Sequence, residues 1–124
     1  MQKGIEDFAK EYYRFLDSLA PLEKLQNFLN EKEFLIIKGE MIIDSLEKYE
    51  NWYEETKKLF VKKEHIINSI EIKEVNEIYE AKISMDFNAE LFSGDPVNIK
   101  NATINWQLIK INEYFKIKRY EINI

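Results

Sequence analysis

His65 is the only histidine in the 124-residue chain. A neutral imidazole is the side chain best suited to take up a proton near pH 7, so His65 is the first candidate for general-base chemistry. Such a base works best with a carboxylate that orients it, and the sequence offers none in an obvious place. Strand parity puts Glu80 and Asp86 on the outer side of an alternating segment, and helical phasing puts Glu54 and Glu55 on an outer arc. A β-bulge could turn Asp86 inward. Glu40 and Asp44 are the remaining candidates. The plainer reading of His65 is a rim residue at the start of a strand. Parity leaves this open, because Ile67 shares its face while Ile66, Ile70 and Ile72 occupy the other.

A second group of residues could bind rather than react. Tyr12, Trp52, Tyr53, Tyr79 and Trp106 all fall on the apolar side of their segments, which carries their polar tips inward, where each needs a partner or a cavity. They are either large core residues with satisfied tips or the wall of an aromatic-lined pocket. In the second case Tyr12 or Tyr53 would donate a hydrogen bond to a ligand carbonyl while His65 moves a proton.

Other chemistries are excluded or unsupported. The absence of cysteine removes disulfides, thiolate nucleophiles and thiolate-ligated metals. With one histidine, no HExxH and no EF-hand spacing, no metal site is expected, and three glycines provide no P-loop, GxGxxG or GxSxG. No cofactor is therefore expected. The net charge is -5, and the 18 basic residues are scattered among 23 acids. Lys57-Lys58, Lys62-Lys63 and Lys116-Lys118-Arg119 read as short solvated clusters, so nucleic acid is not an expected partner. No apolar run approaches the ~20 residues of a membrane span, and the amino terminus lacks a signal-like apolar run. A cytoplasmic location is expected by default.

The elements that must position these residues follow from periodicity. Ile5, Phe8, Ala9, Tyr12, Leu16 and Leu19 recur at helical spacing from Ile5 to Ala20, and Pro21 interrupts them. "PLEKLQNFLN" predicts a second short helix with Leu22, Leu25 and Leu29 inward, ending near Asn30. "FLIIKGEMII" predicts a short strand or hairpin about Lys38-Gly39. Asp44 with Glu47 has capping-box spacing, and Ser45 is an alternative N-cap, for a third helix to about Phe60. Its inward arc holds Leu46, Tyr49, Trp52, Tyr53, Thr56, Leu59 and Phe60.

Beyond "VKKE" the period becomes two. "YEAKISMDFNAEL" alternates cleanly, preceded by "HIINSIEIKEV" and followed by "VNIKNATINWQLIKIN" and "YFKIKRYEINI". The junctions are Asn76-Glu77, Ser93-Gly94-Asp95-Pro96 and Asn112-Glu113, of which only the second has strong turn chemistry. Residues 1–124 thus form one α+β domain, three N-terminal helices packed on a curved antiparallel sheet. Strands of this length coil and bulge, so the sheet should curl into a cone.

This order of elements, with "NWYEETKKLF" closing the helical part, "HIINSI" opening the sheet and "INW" in the penultimate strand, resembles the nuclear transport factor 2-like superfamily. That group includes the SnoaL-like polyketide cyclases, scytalone dehydratase and the small subunits of ring-hydroxylating dioxygenases. The resemblance implies a cone-shaped fold with a pocket between sheet and helices, a position for His65 where enzymatic branches can place a pocket histidine, and homodimers formed through the outer sheet face. The outer parity carries Ser84, Asp86, Asn88, Asn101, Thr103, Asn105 and Gln107, which fits either a wet two-fold interface or a solvated face. Two functions are consistent with this pattern. One is a protein that holds a small apolar or aromatic molecule, acting as a metal-independent cyclase, isomerase or dehydratase if it reacts at all. The other is a non-catalytic dimeric interaction module with the aromatics as core.

Overall fold

The computed structural model describes residues 2–123. Along the chain lie α1 (Gln2–Asp17), α2 (Leu22–Gln26), β1 (Leu35–Lys38), β2 (Met41–Ile43), α3 (Leu46–Leu59), β3 (Phe60–Val75), β4 (Ile78–Leu91), β5 (Pro96–Ile111) and β6 (Tyr114–Asn123). The strands form one curved, unclosed sheet in the order β2-β1-β6-β5-β4-β3, with the helices on its concave face. The predicted meander is β3 to β6, and the predicted hairpin is β1 and β2, turning at Gly39 with φ of 63°. One pairing departs from an antiparallel sheet. β1 joins β6 in parallel, from Leu35 opposite Arg119 to Lys38 opposite Ile122, which makes the sheet mixed. The helix α3 and three long strands separate β1 from β6 in sequence, so no local pattern could show this contact.

The helix boundaries have local causes. α1 stops at Asp17, short of the Ala20 that periodicity predicts. Leu19 turns into the left-handed region at φ 55°, its N–H donates to the Leu16 carbonyl, and the Ala20 N–H donates to the Phe15 carbonyl at 3.0 Å. This is a Schellman closure with leucine where glycine is usual, a conformation that disfavours an L side chain by about 1–2 kcal/mol. The chain is held there by Tyr53, whose hydroxyl donates to the Ala20 carbonyl at 2.5 Å. For α3 the two cap candidates resolve in favour of Ser45, whose side chain accepts from the Lys48 N–H, while Asp44 pairs with the Lys48 ammonium. Leu59, expected inward, is 52% exposed because α3 passes straight into β3 at Phe60.

That direct passage also means β3 starts five residues before the predicted His65. Bulges then decide which residues face the concave side. Val61 is an extra residue between the pairs Phe60–Leu91 and Lys62–Glu90, and Asn68 is extra between Ile67–Met85 and Ser69–Ser84. Each extra residue reverses the parity of a strand. Hence Phe60, Lys63, His65 and Ile67 face inward before Asn68, and Ile70 and Ile72 face inward after it, so the apparent conflict between Ile67 and Ile70 disappears. A third bulge lies in β5, where Lys100 and Asn101 together oppose Asp86. Asn101 takes φ 55°, and Asp86 accepts from the Asn101 N–H and from the Asn68 side-chain amide. Asp86 therefore stays on the outer side, spent on the bulge it caps.

The core lies between the concave face and the helices. Ile5, Ala9, Tyr12, Tyr13 and Leu16 of α1 meet Leu25, Leu29, Tyr49 and Tyr53 and the strand residues Ile83, Ile104, Trp106, Leu108, Ile117 and Tyr120. Burial of this much apolar and aromatic surface is the main stabilising term. The turns at Asn76-Glu77 and Asn112-Glu113 both have two consecutive left-handed residues, the hairpin geometry that matches strand twist. Among the described residues, no helix is long and apolar enough to cross a membrane.

Candidate functional site

The carboxylate that sequence reasoning could not find for His65 is Asp17, the last residue of α1. Its Oδ2 accepts the His65 backbone N–H at 2.8 Å, and its Oδ1 lies 2.5 Å from His65 Nδ1. A carboxylate can only accept, so Nδ1 carries the proton and Nε2 is left with its lone pair. Two contacts to one residue fix both the strand position and the ring orientation. Rings pack against the imidazole from two elements, Tyr13 with its centroid at 4.8 Å and Phe87 at 4.7 Å. Tyr13 is itself anchored, its hydroxyl 2.6 Å from that of Tyr120. Burial is the largest influence on His65 and lowers its pKa, the Asp17 contact opposes this, and Lys38 and Lys63 lower it further. The imidazole is thus neutral at physiological pH, as a base must be.

His65 lines a cavity of about 630 Å³ between the helices and the concave sheet. This lies within the ~300–1,000 Å³ range of small-molecule sites. The walls are Leu16 of α1, Trp52 and Thr56 of α3, Phe60 of β3, Met85 and Phe87 of β4, Ile99, Ala102 and Ile104 of β5, and Tyr120 and Ile122 of β6. The bulges at Val61 and Asn101 lie in the segments that bring Phe60 and Ile99 into this wall. Asn123, Lys38, Lys63 and His65 add polar groups, while the hydroxyls of Thr56 and Tyr120 are engaged by the Trp52 carbonyl and by Tyr13.

The two lysines arrive from different elements. Lys38 ends β1, and its ammonium sits over the rings of Trp52 at 4.5 Å and Tyr120 at 5.0 Å. Part of the Lys38 residue reaches solvent, but burial together with the charge of Lys63 lowers its pKa to about 7. Lys63 is 8% exposed, and burial lowers its pKa to about 8, with Asp17 working against the shift and Lys57 adding to it. Among the described residues there is no cluster of three or more side chains that could hold a metal ion.

The five aromatics singled out from the sequence separate into two groups. Trp52 is part of the cavity wall. Tyr12, Tyr53, Tyr79 and Trp106 are buried away from it and serve packing. The Tyr12 hydroxyl is 2.8 Å from that of Tyr49, and burial raises the pKa of both. Trp106 is 1% exposed and stacks on Tyr13 at 5.9 Å, and its indole N–H is a buried polar atom without a partner among the described residues. Tyr79 packs edge-on against Phe115 toward the other end of the sheet. The residues that sequence reasoning passed over are Asp17, Tyr13, Lys38, Lys63 and Tyr120. Asp17 lies 48 residues from His65, and no spacing rule spans such a gap. A hollow of about 490 Å³ on the outer sheet face is lined by alternating charges such as Glu71, Lys73, Glu80 and Lys82 and lacks the apolar walls of the cone.

No protein-family model matches the chain, and no curated protein matches it at a significant level. Solved structures do match. A scytalone dehydratase-like protein from Novosphingobium aromaticivorans DSM 12444 superposes with a TM-score of 0.86 at 16% identity, over 98% of this chain and 82% of that one. A type 2 hexachlorocyclohexane dehydrochlorinase, LinA, gives 0.85 at 10% identity over 98% and 83%. A nuclear transport factor 2-like superfamily protein from Salmonella enterica serovar Typhimurium gives 0.85 at 19% identity over 98% and 88%. The fold is therefore the cone of the nuclear transport factor 2-like and SnoaL-like proteins. Identities this low establish the fold and leave the activity to be argued from the site.

Proposed function

We propose that this protein binds a small, largely apolar molecule in the cone and removes a proton from it without a metal ion, as an isomerase, cyclase or dehydratase does. The observation that carries this reading is the Asp17–His65 pair on the wall of the aromatic cavity. His65 Nε2 takes the proton from an acidic C–H of the ligand. Asp17 holds the Nδ1–H, keeps the ring in place and favours the imidazolium that forms. The electron pair left on carbon either expels a leaving group, giving an elimination, or is reprotonated at another position by the same imidazolium, giving an isomerisation. The dehydratase-like and dehydrochlorinase neighbours make elimination a reasonable member of this class.

A direct test follows the proton. The α-protons of 2-tetralone, a bicyclic ketone small enough for the cavity, should exchange into D2O faster with the protein than with buffer, as followed by proton NMR. His65→Gln should remove about 10²–10⁴-fold of the enhancement, the usual contribution of a positioned base. Asp17→Asn should reduce it less and Tyr12→Phe should leave it unchanged, since the Tyr12 hydroxyl faces Tyr49. Exchange that is no faster than in buffer, together with no thermal stabilisation by a broad panel of small aromatics, would retire the reading.

A further inference from the structure

The cavity holds a feature that proton abstraction does not require. Two lysines, Lys38 from the end of β1 and Lys63 from β3, line the same largely apolar cavity. Among the described residues neither has a carboxylate within ion-pair distance, although Lys48, Lys57, Lys58 and Lys100 pair with Asp44, Glu54, Glu55 and Asp86. Among the described residues the acid that acts on Lys63 is Asp17, and both of its oxygens are engaged by His65. Lysine is almost never buried without a counter-charge, because desolvation of an ammonium is expensive and two like charges add to it. The rings of Trp52 and Tyr120 offset part of that cost for Lys38, and the ring of Tyr53, 5.9 Å from the Lys63 ammonium, does so weakly.

We infer that the occupant of the cavity is a small organic anion, an aromatic or branched carboxylate, whose apolar body lies against Phe60, Phe87 and Ile104 and whose charged group sits between Lys38 and Lys63. This deepens the proposed function and rests on the cone being a ligand site. A carboxylate there supplies the counter-charge that the described residues do not, through charge-assisted hydrogen bonds shielded from water. It also fixes one end of the ligand, so that the carbon facing His65 Nε2 is chosen by the distance from that end. The lowered pKa values of both lysines fit a site built around an absent anion, since binding would restore their charge.

The test compares charge at constant shape. Benzoate, cinnamate and 2-naphthoate, each beside its neutral amide, are titrated into the protein by calorimetry at pH 7 and low salt. The best carboxylate should bind about tenfold or more tightly than its amide, as one or two charge-assisted hydrogen bonds allow. Lys38→Met should bring that ratio close to one while leaving the amide's affinity within a few fold, and Lys63→Met should lower it in the same direction. Calorimetry in buffers of different ionisation heat should also show proton uptake when the carboxylate binds, and this should be lost in Lys38→Met. Equal or tighter binding of the amides to the wild type would overturn anion selection and leave the cavity reading standing. A carboxylate preference that survives in the double variant would place the anion elsewhere and overturn it too. Binding of neither series to folded protein, checked by circular dichroism, would defeat the cavity reading and this inference with it.

Discussion

The two ends of the cone are both rich in aromatic rings and differ in the charge they carry. In the filled end Tyr12 and Tyr49 pair hydroxyl to hydroxyl, Tyr53 caps the end of α1, and Trp106 packs within a ring of Phe8, Tyr12, Tyr13 and Tyr120. Each side chain there is neutral, and the polar tips of the three tyrosines answer one another or the backbone. In the open end the aromatics Trp52, Phe60, Phe87 and Tyr120 stand around space, and the charged groups among them, Lys38 and Lys63, have no ion-pair partner among the described residues. Aromatic content alone therefore does not mark a site. The filled end leaves one neutral group, the Trp106 indole N–H, without a partner among the described residues, so what marks the candidate site is charge without a counter-charge, which is unfavourable unless something else uses it.

Substitutions at the two ends should separate this contrast. The largest effect is expected at Trp106→Ala, which empties the middle of the filled end and should cost about 3–5 kcal/mol, read as a steep drop in the denaturant midpoint. A loss below about 1 kcal/mol would mean that the filled end is not close-packed. Tyr12→Phe keeps the ring and strands the buried Tyr49 hydroxyl, so a loss of about 1–3 kcal/mol is expected, with carboxylate binding unchanged. A change in ligand affinity in that variant would erase the boundary between the two ends.

Below about pH 10 the dependence of stability on pH is expected to come from the open end. Lys38 titrates near 7 and Lys63 near 8 in the fold, against 10.5 in a free chain. Below about 7 both states hold these protons and the destabilisation by buried charge is fully present. Between about 7 and 10.5 the unfolded chain holds more protons than the native one, so the stability of the ligand-free protein should rise with pH through this window. The groups facing Lys38 are Lys63 and His65 of β3, with Asp17 of α1 beyond His65, and the uncharged rings of Trp52 and Tyr120. Above about 10 the buried tyrosines, whose pKa values are raised, act in the opposite sense, since the native state then keeps protons that the unfolded chain loses. Urea unfolding at pH 6.5 and 9.5 should show the wild type gaining on Lys38→Met. Parallel curves for the two proteins would mean that Lys38 is solvated like a surface lysine.

Much of the scaffold was legible in the order of residues. Helical spacing located α1 and α3, alternation located β4, and the hairpin about Gly39 followed from two β-branched bursts around a residue suited to positive φ. These signals are local, since a helix or strand must place its apolar residues on one face wherever it packs. His65 and Trp52, which line the cavity, stand out in the sequence as a lone histidine and an inward tryptophan.

What surrounds them was decided by the tertiary structure. Asp17 reads as one more acid at a helix end until the Schellman turn at Leu19 stops α1 beside β3. Lys38 reads as a turn lysine until β1 lies parallel to β6 and brings it over Tyr120. Lys63 reads as part of a solvated basic cluster, and His65 as a residue of undecided face, until bulges at Val61 and Asn68 set the parity of β3. The sequence by itself determined the elements and their apolar faces, because periodicity acts within a few residues. Only the assembled sheet determined the candidate site, because its register, its bulges and its parallel β1–β6 pairing bring together residues tens of positions apart that no local preference links.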